Sequence, residues 1–154
     1  MKPVDQDRVG WPNGNCTAAC IASLIEKPVE AVPNFNHWVP VFGHWEIAAA
    51  AWLRNCGWLM SPSWGYEWVT KGDGDDVVRP GEIVLAGGVN PAGINHMVLW
   101  RDGELAHDPN PSRAGLKGEP TFVITIRPCC ARCQQDHAVE DCPVPEVLDC
   151  RASK

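Results

Sequence analysis

Between residues 16 and 26 the chain reads CTAACIASLIE. Ala19, Cys20, Ser23, Leu24 and Lys27 follow a three-to-four spacing, and Ala18, Ile21, Ala22 and Ile25 form a second apolar stripe. A helix that is apolar nearly all round is a buried one. Pro28 disfavours helical backbone at Lys27 and predicts the stop. VEAVPNF, 29–35, reads as a short turn of helix or a loop. A second helix is predicted from His44 to Cys56, with Trp45, Ala48, Ala49, Trp52 and Leu53 on one face and Gly57 as its C-terminal stop. Beyond it the pattern changes. The turns KGDGDD, RPGE and AGGVNPAGIN separate short β-branched or aromatic runs: EIVLA at 82–86, HMVLWRD at 96–102, ELAHD at 104–108 and TFVITI at 121–126. Asp102-Gly103, between two of these runs, is a strong hairpin signal. Helices first and hairpin-linked strands later predict an α+β fold, with N-terminal helices packed on an antiparallel sheet.

At 154 residues, 45% of them hydrophobic and 21% charged, the chain is long enough for one domain with a real core. No apolar stretch is long enough to span a bilayer, and MKPVDQDRVG has neither a charged segment followed by an apolar block nor a cleavage site, so a cytoplasmic protein without membrane contact is expected. A formal net charge of −6 argues against nucleic acid as a partner, because such binding needs a basic face that releases counterions. The eight tryptophans, from Trp11 to Trp100, read first as core filler, with one or two free for a substrate groove.

Cysteine usage divides the chain. Cys16, Cys20 and Cys56 are scattered, whereas Cys129, Cys130, Cys133, Cys142 and Cys150 crowd the C-terminal end. Residues 1–128 read as the globular domain, and residues 129–154 as a Cys-rich tail with too few large apolar residues for a core of its own.

Cys16 stands at the predicted start of the first helix, directly behind the turn Pro12-Asn13-Gly14-Asn15. A helix N-terminus presents unpaired N–H groups and the positive end of the macrodipole, so it favours an anion. A thiol there ionises below the free value of about 8.5. The turn also offers N–H groups to an oxyanion. The competing reading for Cys16 is a small buried cysteine packed in an apolar helix, and for Cys20, a turn further on, that reading is the expected one.

A nucleophilic cysteine needs a base and a group that orients the base. In NHMVLWRDGELAHDPNP, His96 begins one predicted strand and Asp108 ends the next. Pairing across Asp102-Gly103 brings position 96 near position 109, so His96 and Asp108 share one end of the hairpin. A core histidine and a turn-forming aspartate before Pro109 are the plainer readings of each alone. His107 competes as base, but strand alternation points it away from the face of Asp108.

The order of cysteine at a helix start, histidine on a central strand and Asp on the following strand resembles the papain-like cysteine peptidase superfamily, particularly its compact bacterial and phage members such as the bacteriocin-processing peptidase domains. QDRVGWPNGNCTAACIASLIEKPVEAVPNF and GINHMVLWRDGELAHDPNPS are also similar to small uncharacterised phage and bacterial proteins of that fold. The resemblance covers roughly residues 5–128. It implies a papain-like fold, a protein or peptide substrate, and a Cys16-His96-Asp108 triad working through a thioester without a catalytic cofactor. It also implies an upstream glutamine that donates to the oxyanion. Gln6 is that residue here, ten positions before Cys16, with Asn13 and Asn15 as alternatives. The implied chemistry fits a peptidase, an isopeptidase, an amidase, a deamidase or an acyltransferase.

The tail adds another class of reading. In CCARCQQDHAVEDC, Cys130-x2-Cys133 is followed by His137 and Cys142, a set suited to structural zinc. It departs from a zinc knuckle in having three residues before the histidine rather than four. Cys129 or Cys150 could substitute as ligands, and a reduced flexible tail or a disulfide are the alternatives. A non-catalytic papain-like binding protein with a zinc-stapled tail is therefore the second function class.

Overall fold

The computed structural model describes residues 1–38, 44–64 and 78–129. Helix α1 spans Cys16–Ile25 and helix α2 spans Trp45–Asn55. Short 3-10 turns at Val29–Ala31 and Phe35–Trp38 lie between them. The strands are β1 (Trp58–Trp64), β2 (Ile83–Val89), β3 (Asn95–Arg101), β4 (Glu104–His107) and β5 (Phe122–Pro128). They form one sheet in the order β1-β5-β2-β3-β4, with every neighbouring pair antiparallel. The N-terminal helices pack against that sheet, so the architecture is α+β.

Helix α1 is buried on almost every side, as its double stripe predicts: Ala18, Ala19, Cys20, Ile21 and Ala22 are all at most 1% exposed. It ends where Glu26 takes up a left-handed conformation, with φ of 56°. Ile21 and Ile25 of α1 and Ala49 and Leu53 of α2 meet Leu85, Met97, Leu99, Ile124 and Ile126 of the sheet in the main core. Val84, Ala86, Val98 and Val123 form a smaller cluster apart from it, with Trp100 and Leu116 packed against it.

Strand β1 is not among the runs read from the sequence; it contains Pro62, and it sits at the sheet edge, where a missing N–H is tolerated. The tryptophans whose burial is described divide between the core margins and the surface. Trp11 is 71% exposed, and Trp45, Trp52, Trp58 and Trp100 are half-buried at the margins of the clusters.

β2 runs on through Gly87-Gly88, which the sequence reads as part of a turn. Gly87 pairs with Phe122, and a Cβ at Gly87 would fall 2.1 Å from the Phe122 ring. A bare backbone is what lets that ring lie against the strand. The loop after β2 is built by Asn90, whose Oδ1 accepts from the N–H groups of Ala92 and Ile94, both at 3.0 Å. Chain direction reverses there and β3 starts at Asn95, with Gly88 opposite His96. Asp102 and Gly103, with φ of 49° and 88°, make the β3–β4 hairpin turn.

Cys129 is buried, and its N–H donates to the Gly57 carbonyl at 2.9 Å, so ordered contacts run one residue past the expected boundary at 128. Cys130, Cys133, His137 and Cys142 lie outside the described residues. Among the described residues no group of three or more His, Cys, Asp or Glu is placed to hold a metal ion, and no helix is long and apolar enough to cross a membrane.

Candidate active site

Cys16 is the first residue of α1, behind Asn15 as N-cap. Its thiol therefore stands where the first-turn N–H groups lack intrahelical acceptors. The chain is held there by Asn15, which is only 1% exposed. Asn15 Nδ2 donates to Asp7 Oδ1 at 2.7 Å, its Oδ1 accepts from the Arg8 N–H at 3.1 Å, and its own N–H donates to the Arg8 carbonyl at 3.2 Å. Asn15 thus closes the loop between Asp7 and the helix. Its side-chain amide binds Asp7 and Arg8, and Asn15 does not line the cleft that holds Cys16 and His96. Asn13 is exposed, and its carbonyl accepts from Asn34.

The same closure brings Gln6 into the cleft of the thiol although it stands ten positions before Cys16. The N-terminal segment runs beside α1 and the end of β4: the Val4 N–H donates to Ser23 Oγ at 2.9 Å, and the Gln6 N–H to the Pro109 carbonyl at 2.9 Å. Gln6 is 6% exposed and lines a cleft of about 300 Å3 together with Cys16 and His96. Its Nε2 donates one hydrogen to the Arg8 carbonyl at 3.1 Å, which leaves the other N–H unspent, and its buried Oε1 has no hydrogen-bond partner.

His96 and Asp108 meet as the hairpin argument requires. His96 Nε2 lies 2.7 Å from Asp108 Oδ1, with the two residues 8% and 2% exposed. Asp108 also accepts from the N–H groups of Asn110 (Oδ1, 2.8 Å) and Gly115 (Oδ2, 2.7 Å), while Arg113 bonds its carbonyl and pairs with Asp5 at 2.7 Å. With Nε2 engaged, Nδ1 is the imidazole nitrogen left to exchange a proton with the thiol. The pairing register differs in detail from the simple hairpin. Trp100 faces Leu105 but Leu99 faces His107, so Ala106 is an extra residue and β4 is bulged. His107 does point away from Asp108's partner. Its Nε2 hydrogen-bonds the Val4 carbonyl at 3.1 Å and is 3.6 Å from Asp5.

The electrostatics follow from these contacts. Burial pushes the Cys16 thiol up, but the hydrogen bond with His96, helped by the Met97 backbone and the imidazolium charge, outweighs it and holds the thiol below its ordinary value. Burial pulls His96 down; hydrogen bonds to Cys16 and Asp108 outweigh that and raise it. Asp108 is pushed up by burial and held below the usual carboxylate range by His96 and the two backbone N–H groups. These directions favour a thiolate–imidazolium pair. Cys20 is the opposite case. It is fully buried, its Sγ is 3.5 Å from the Met97 carbonyl, and burial drives it well above the ordinary thiol value.

Surroundings that the sequence did not reveal complete the site. Val9, Trp11 and Ile94, each more than half exposed, line the same cleft as Cys16. A second cleft, of about 520 Å3, shares Trp11, Cys16, Asn95 and His96 with the first and adds Glu46, Met97 and Phe122. The WPNGN turn was the one local signal for Trp11; nothing near Glu46 in sequence marks it. A separate cleft of about 310 Å3, around Arg79, Trp100 and Asp102, contains neither cysteine nor histidine. No protein family, curated protein or solved structure matches the chain.

Proposed function

We propose that this chain is a papain-like cysteine hydrolase acting on an amide or isopeptide bond of a protein or peptide. The observation that carries the reading is the placement of Cys16, at a helix N-terminus, in one cleft with a histidine whose far nitrogen is held at 2.7 Å by a buried aspartate. The Cys16 thiolate attacks the acyl carbon, and the oxyanion is held by the Cys16 backbone N–H and the unspent N–H of Gln6. The C–N bond breaks as His96 Nδ1 gives its proton to the leaving amine, leaving a thioester on Cys16. Water then attacks the thioester carbon, His96 takes a proton from it, and the C–S bond breaks to release the carboxylic acid. Asp108 keeps the imidazole oriented and stabilises its charge. A deamidase would differ in releasing ammonia, and an acyltransferase in using an amine in place of water.

The non-catalytic alternative separates cleanly. Iodoacetamide labelling of the full chain, followed by peptide mass mapping, should modify Cys16 well below the pH at which Cys56 reacts, and His96→Ala should abolish that difference. An unreactive Cys16 in the folded protein would point to a binding role instead. The zinc reading of Cys130, Cys133, His137 and Cys142 is tested by metal content of the purified protein before and after chelation.

A further inference from the structure

The two clefts that meet at Cys16 and His96 differ in charge. Among the described residues, the lining of the first contains no acidic or basic side chain apart from the cysteine–histidine pair itself; it sets the exposed apolar Val9, Trp11 and Ile94 among uncharged amides of Gln6 and four asparagines. Among the described residues, the second contains one carboxylate, Glu46, from the first turn of α2. Glu46 Oε2 is shut off from solvent with no hydrogen-bond donor against it. An acid in a first turn suits the helix macrodipole. The buried oxygen is not itself reached from the cleft, so what the cleft offers a ligand is the negative charge of the half-buried Glu46 side chain beside the cysteine–histidine pair.

We propose that Glu46 is a specificity residue that receives a basic side chain, lysine or arginine, next to the scissile amide. The proposal rests on the reading of Cys16 as nucleophile. A peptide crossing the thiol occupies both clefts: an apolar side chain sits among Val9, Trp11 and Ile94, and a cation on the other side of the scissile bond meets Glu46. Among the described residues, no positively charged lining residue other than His96 competes for that carboxylate.

Charged thiol reagents test the field at Cys16 without a substrate. The full chain is treated with a trimethylammonio-ethyl and a sulfonato-ethyl methanethiosulfonate, and modification of Cys16 is followed by peptide mass mapping. Glu46→Gln should lower the cationic-to-anionic rate ratio about five- to tenfold, as expected for loss of one charge at cleft distance. Glu104→Gln, an equal change in net charge on the exposed β3–β4 hairpin, should leave the ratio within about twofold on the same reasoning. Equal effects of the two variants would overturn the proposal. The rate with uncharged methyl methanethiosulfonate checks that the fold is kept, and Glu46→Ala replaces Glu46→Gln if that variant does not fold. A second arm uses fluorogenic peptides carrying Lys, norleucine or Glu at each position flanking the scissile bond. One position should favour Lys over norleucine about tenfold in kcat/KM, with the preference lost in Glu46→Gln. Turnover without a Glu46-dependent preference for Lys refutes the role of Glu46 and leaves the hydrolase reading standing. Absence of turnover together with an inert Cys16 refutes the hydrolase reading and the proposal with it.

Discussion

His96 Nε2 stands 2.7 Å from Asp108 Oδ1, and that aspartate is fixed in turn by the N–H groups of Asn110 and Gly115. The imidazole is therefore held from behind by a group that cannot swing away. Residues acting as one unit give losses that do not add. His96→Ala should reduce kcat by about 10²- to 10⁴-fold, the range for a general acid–base group. The His96→Ala/Asp108→Ala double variant should be little worse than His96→Ala alone. Steady-state kinetics of the two single variants and the double variant on one amide substrate decide it; losses that multiply would break the unit apart.

The pH dependence has a definite sign. The Cys16 thiol is lowered, so its reactivity toward iodoacetamide rises through a pH below the ordinary thiol range. His96 is raised, so the leaving-group proton is retained to a higher pH than a free imidazole allows. Turnover should be bell-shaped, gained as Cys16 ionises and lost as His96 deprotonates. His96→Ala removes the hydrogen bond that opposes burial and should move the labelling midpoint up. Asp108→Ala removes a group that raises His96 and should move the alkaline limb down. Labelling and rate profiles between pH 4 and 10, on the order of the span set by ordinary imidazole and thiol values, test both shifts.

Gln6 and Asn15 should fail in different ways. Gln6→Ala removes the proposed oxyanion donor and should lower kcat by about 10²- to 10³-fold with the fold retained. Asn15→Ala removes the bond to the exposed Asp7, which keeps its ion pair with Arg8, and leaves the Arg8 N–H without its side-chain acceptor; it should cost about 1 kcal/mol of stability. Denaturant unfolding of both variants, measured beside kcat, separates them. A stable Asn15→Ala with normal activity would mean that the loop holds itself closed.

Cys20 and His107 are the nearest rivals of the assigned thiol and base. Cys20→Ala should cost about 1 kcal/mol in packing and leave activity nearly unchanged. His107→Ala breaks the bond to the Val4 carbonyl and should cost about 1 kcal/mol, with a milder activity loss than His96→Ala. If His107→Ala abolished turnover while His96→Ala kept most of it, the base would have been misassigned.

Some of this protein was settled by the chain locally. The start of α1 at Cys16, its stop before Pro28, the second helix and the turn at Asp102-Gly103 depend on backbone preferences and apolar periodicity within a few residues. The shared end of the hairpin for His96 and Asp108 follows from the same turn, and the bulge at Ala106 left their meeting intact. Other features needed the folded molecule. β1 exists because the sheet edge accepts Pro62, which no local rule favours. Gln6 reaches the cleft because Asn15 draws the intervening loop closed through hydrogen bonds to Asp7 and Arg8. Trp11 lies at the rim rather than in the core, and Glu46 arrives at the thiol's second cleft on a different helix. Sequence periodicity reports which side of an element is apolar. Only packing decides which distant side chains then share a cavity, because that depends on how whole elements meet.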